Sequence, residues 1–148
     1  MRLKVLQLLA ILLITSGLTA GPAAATGDLA CTIDDVNLAL SFAAATNREY
    51  GTIVSLSEGE IVLKAKGARP MGPTLTLDKD QIVQHWTYQR ELRIGINVET
   101  DTGSLFLWVV AQGDKTGENY SGRYELRVSI FERESQTFRG RIKGCSAG

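Results

Sequence analysis

The sequence predicts an all-β domain, an antiparallel β-sandwich or small barrel of about eight strands, with its N- and C-terminal ends joined by one disulfide. Three observations carry this. Apolar and polar side chains alternate with period two over several short runs. Turn-forming residues recur between those runs, and no long stretch has a convincing helical period. Finally, Cys31 and Cys145 are the only two cysteines of the 148-residue chain. In an oxidising compartment they have only each other to pair with.

The chain opens on what reads as a signal peptide over residues 1–25. Arg2 and Lys4 form a positive start, residues 6–14 are apolar except for Gln7, and Ala23-Ala24-Ala25 offers small residues for cleavage. The polar Gln7, Thr15, Ser16, Thr19 and the helix-breaking Pro22 make the stretch a poor membrane span, so no transmembrane anchor is expected after cleavage. Asp28-Leu29-Ala30 before Cys31 lacks a lipid-attachment order. What remains is a single secreted β domain over residues 26–148. Losing Arg2 and Lys4 leaves 14 basic against 16 acidic side chains, a formal charge of −2. Such a balance argues against a nucleic-acid binder, which is normally clearly basic.

The elements follow in order. Val36, Leu38, Leu40 and Phe42 alternate with Asn37, Ala39, Ser41 and Ala43, which predicts a strand within residues 33–45. A helix competes there, because Thr32 and Asp35 could cap it and Ile33, Val36 and Leu40 could share its face. Residues 52–56 and 60–66 read as two strands joined by a hairpin turn at Ser57-Glu58-Gly59, with Gly59 supplying positive φ. A Gly/Pro-rich loop spans residues 67–73. Strands follow at 74–77 and 81–88, separated by a turn at Asp78-Lys79-Asp80. Leu92, Ile94, Ile96 and Val98 mark a half-buried strand that turns at residues 100–103. Residues 105–110, with Phe106 and Trp108, are apolar on both faces and predict a central strand covered on both sides. A polar loop over 112–119 precedes a strand in which Tyr124, Leu126, Val128 and Ile130 alternate with Arg123, Glu125, Arg127 and Ser129. Residues 137–144 form the last strand.

No residue set commits the chain to catalysis. His85 is the only histidine, and no Gly-x-Ser-x-Gly elbow supplies a nucleophile for it. No metal or cofactor is expected, because metal sites want clustered Cys and His and both cysteines are engaged in the bridge. Asp34-Asp35, Glu58/Glu60 and Asp78/Asp80 read as solvated turn acids rather than calcium ligands or a glycosidase pair.

Two surfaces are candidates. Trp86 and Tyr88, with Trp108, could form an aromatic platform for a sugar ring, against the competing reading of core packing. The last two strands, paired as a hairpin turning near Glu134, would place Arg123, Arg127, Arg139, Arg141 and Lys143 on one outward face with Glu125. In the simplest register Arg127 lies opposite Arg141 and Glu125 opposite Lys143. This basic face would attract an anionic glycan, a lipid surface or an acidic face of another exported protein. The competing reading is an edge hairpin whose charges block aggregation.

The run Tyr120-Ser121-Gly122-Arg123-Tyr124, with a cysteine near the C-terminus, resembles the Ser-Gly and Tyr pattern of periplasmic lysozyme inhibitors over five of 148 residues. The rest of the chain does not follow that pattern, and no membership is assigned. The function expected is an exported, periplasmic, non-enzymatic module that binds a partner or an anionic envelope component. The alternatives are an inhibitor or assembly chaperone acting through loop 67–73 or a free sheet edge, and a small hydrolase using two carboxylates near His85.

Overall fold

The computed structural model describes residues 26–47 and 52–148, so the leader expected over 1–25 lies outside the described residues. Nine strands form: β1 (Thr26–Asp34), β2 (Leu38–Asn47), β3 (Thr52–Leu63), β4 (Thr74–Thr76), β5 (Ile82–Tyr88), β6 (Glu91–Thr100), β7 (Gly103–Gly113), β8 (Asn119–Ile130) and β9 (Gln136–Ala147). Short 3₁₀ turns at Arg69–Met71 and Lys79–Gln81 lie on either side of β4. All nine strands belong to one antiparallel sheet in the order β4-β3-β2-β1-β9-β8-β7-β6-β5. That is the chain order read round a ring, closed by β1 against β9 and interrupted between β4 and β5.

Alternation gives β2, β6 and β7 one buried face each. A single sheet with no second layer can bury one face only by wrapping round it. β5 and the second 3₁₀ turn lie against β3, which brings the sheet's two ends together. The fold is therefore all-β as expected, and the single curled sheet is the barrel-like of the two forms. Leu40, Ile61, Leu92, Ile94, Ile96, Leu105, Leu107 and Leu126 fill its interior. The Cys31–Cys145 disulfide is formed, between directly opposed residues of β1 and β9.

Four local expectations are corrected. Residues 33–45 are a hairpin rather than one strand: β1 ends at Asp34 and β2 begins at Leu38. Asp35, a helix cap in the competing reading, instead accepts hydrogen bonds from the backbone N–H of Asn37 at 2.8 Å and Leu38 at 3.1 Å, which builds the turn. Val36 sits at its tip, 85% exposed. Next, residues 52–63 do not turn at Gly59. They run as one strand against β2, with two register shifts absorbing the extra residues. Gly59 is needed for close approach, because a Cβ there would lie 2.8 Å from Leu77 Cβ.

The third correction concerns β7, which is covered on one side only: Leu105, Leu107 and Val109 are buried, whereas Phe106 is 40% exposed and Trp108 half-buried on the outer face. Last, the β8–β9 hairpin turns around Glu132, whose φ is +62°, and not near Glu134. Arg123 therefore opposes Arg141, Glu125 opposes Arg139 and Arg127 opposes Thr137. The reason is visible at Tyr124, whose ring needs the glycine opposite it: a Cβ on Gly140 would come within 2.4 Å of Tyr124 Cε1.

Candidate functional site: a cationic and aromatic outer face

The outer face of β5 to β9 is ordered by register into rows that cross the strands. One row runs Trp86, Arg93, Val110, Arg123, Arg141. The next runs Gln84, Gly95, Trp108, Glu125, Arg139, and a third places Phe106 beside Arg127. Period two alone puts these side chains outside, since their neighbours Tyr124, Leu126 and Ile142 are buried. Arg123, Arg127, Arg139 and Arg141 thus share this face, and Lys143 lies at the irregularity where β9 slips against β8. Because β8 and β9 lie inside the sheet, whose ends are β4 and β5, the edge-protection reading loses its premise.

Charge on this face is unevenly compensated. Glu125 is bracketed by Arg139, at 2.8 Å, and Arg127, at 3.5 Å. Arg93 is held by Glu91 at 2.6 Å and lies 5.2 Å from the Trp86 ring centroid, a cation–π contact. Arg123 and Arg141 oppose each other directly, and neither has an acidic partner among the described residues. Like charges in that position disfavour the pairing that holds them.

The aromatics complete the site. A groove of about 370 Å³ runs between Trp108, Phe106 and Val110 on one side and Arg123, Glu125, Arg127 and Arg139 on the other. Trp108 lies against Gly95, where a Cβ would come within 3.1 Å of the indole. The Phe106 ring is nearly parallel to it, at 15° with centroids 6.1 Å apart. Trp86 and Tyr88, the platform expected from the sequence, stack on each other on β5, two strands from Trp108, where Arg93 lies over the indole of Trp86. Sequence reasoning missed Phe106, Val110, Arg93 and Gly95, because an apolar run on both faces of β7 signalled a second covering layer.

The other expectations find less support. Ala68 and Met71 anchor the loop over 67–73 in the core, while Arg69, Pro70 and Pro73 are exposed. His85 lines one hollow with Asp80 and another with Asp28, and among the described residues no three His, Cys, Asp or Glu side chains converge to hold a metal ion. No helix of the described residues is long and apolar enough to cross a membrane. Compared with known families, characterised proteins and solved structures, the chain has no match.

Proposed function

We propose that this is an exported protein that binds an anionic component of the cell envelope through the outer face of β7 to β9. The carrying observation is Arg123 set opposite Arg141 with neither in an ion pair among the described residues. An anion seated between them turns mutual repulsion into shared attraction, and guanidinium groups suit the planar oxygens of carboxylate or phosphate. A local excess of positive charge on residues 26–148, whose formal charge is −2, also steers such a ligand to this face. Export is supported by the leader-like residues 1–25 and is compatible with the disulfide.

The double variant Arg123→Ser/Arg141→Ser tests this. It removes a repulsive pair, so the fold is retained. On an anionic matrix at low salt the variant is expected to elute well before the parent protein, and the difference should shrink as salt is raised. Unchanged retention at low salt would end the anion-binding reading.

A further inference from the structure

We infer that the anion taken by this face is an acidic saccharide, a chain of carboxylated pyranose rings that stacks on Trp108 while Arg123 and Arg141 hold a carboxylate. The inference rests on the anion-binding reading above and names its ligand class. Three features of this outer face select it over other anions.

First, the floor is aromatic. Gly95 lets the Trp108 indole lie against the sheet, and Phe106 stacks beside it at 15° with centroids 6.1 Å apart. A flat aromatic face suits the apolar face of a pyranose ring, whose axial C–H bonds meet the π-surface. A membrane-inserting surface would instead present projecting apolar side chains. Second, Glu125 stands in the next position of the same row as Trp108. It accepts hydrogen bonds from hydroxyl groups, and a sugar ring brings several of those beside its carboxylate. Third, the cations are laid out across the strands. The unpaired Arg123 and Arg141 on β8 and β9 stand in one row with Arg93 on β6, which Glu91 already holds. Strands are spaced about 4.8 Å apart, so the row spans roughly 14 Å, enough for successive charged rings of one extended chain.

The test compares two probes in titration calorimetry with the disulfide-bonded protein: oligogalacturonate, and inorganic polyphosphate with the same number of charges. Oligogalacturonate is expected to bind about tenfold tighter or more. Trp108→Leu should weaken oligogalacturonate about tenfold and leave polyphosphate unchanged, which also reports that the variant is folded. Trp108→Phe, which keeps a flat ring, should recover most of the loss. Equal affinity for the two probes, or equal weakening of both by Trp108→Leu, would overturn the saccharide inference while leaving anion binding intact. Capture of the protein by phosphatidylglycerol vesicles without oligogalacturonate binding would replace the saccharide with a lipid surface. Failure to bind any of the three probes would bring down the anion-binding reading itself.

Discussion

Tyr124 shows how one side chain ties distant parts of the chain together. It points inward from β8, passes Gly140 on β9, and its hydroxyl donates to Asp35 Oδ2 at 2.5 Å in the β1–β2 turn. Asn37 Nδ2 donates to the same hydroxyl at 3.1 Å and to the Arg139 carbonyl at 3.2 Å. Burial, and then the bond to Asp35, push the phenol well above its ordinary pKa, so it keeps its proton as a donor throughout the working pH range. Tyr124→Phe removes the hydroxyl and leaves Asp35 and Asn37 short of a partner. We expect a loss of about 1 to 2 kcal/mol in urea denaturation. A variant as stable as the parent would show that the bonds to the turn add nothing net. None of this was legible from the sequence, where Tyr124 is one apolar position in an alternating run and Asp35 one of two adjacent acids.

Elements were legible where one periodicity acted alone. β6 and β8 were expected nearly where they stand, because their alternation reflects a single buried face. β3 was split in the reading because a glycine beside two acids signals a turn, whereas here the irregular residues are absorbed as bulges. The site was half legible for the same reason. Parity put the arginines on one face, but which arginine opposes which depends on Gly140 admitting a ring from the neighbouring strand, a three-dimensional fit. The polar connection after β7 was expected as a loop, and Asp114 organises it. Its carboxylate accepts from the Thr116 hydroxyl, from Asn119 Nδ2 and from the backbone N–H groups of Thr116 and Gly117. These bonds, the Thr116 hydroxyl first, hold its pKa down at about 2, from an ordinary 3.8. The sign follows: the loop's stabilisation is full above 3.8 and is lost as the pH falls through about 2. An NMR titration should find the Asp114 carboxyl carbon turning over near pH 2, with the Thr116 and Gly117 amide shifts following it. A midpoint at 3.8 would mean the loop is not held by this carboxylate.

At the scale of the whole molecule, the ring of strands depends on the seam that joins its first strand to its last. β1 and β9 pair over only four residue positions, from Leu29 opposite Ala147 to Thr32 opposite Gly144, whereas β6 and β7 pair over ten. The disulfide lies within that short seam and joins residues 114 positions apart. Hairpin pairings form locally, but the seam must bring together the two ends of the domain, and that is the most demanding loop closure in the fold. Holding those ends together in the unfolded chain removes most of that entropy, about 4 to 5 kcal/mol in the chain-entropy model. Total stabilities of such domains are about 5 to 15 kcal/mol, so the bridge accounts for a large share. Replacing both cysteines, Cys31→Ala/Cys145→Ala, should lower the stability measured in guanidinium by that amount. It should also speed hydrogen exchange at residues 29–32 and 144–147 more than in β6 and β7. Uniform acceleration across all strands would instead mean that the seam is no weaker than the rest of the sheet, and that the barrel opens as a single cooperative unit.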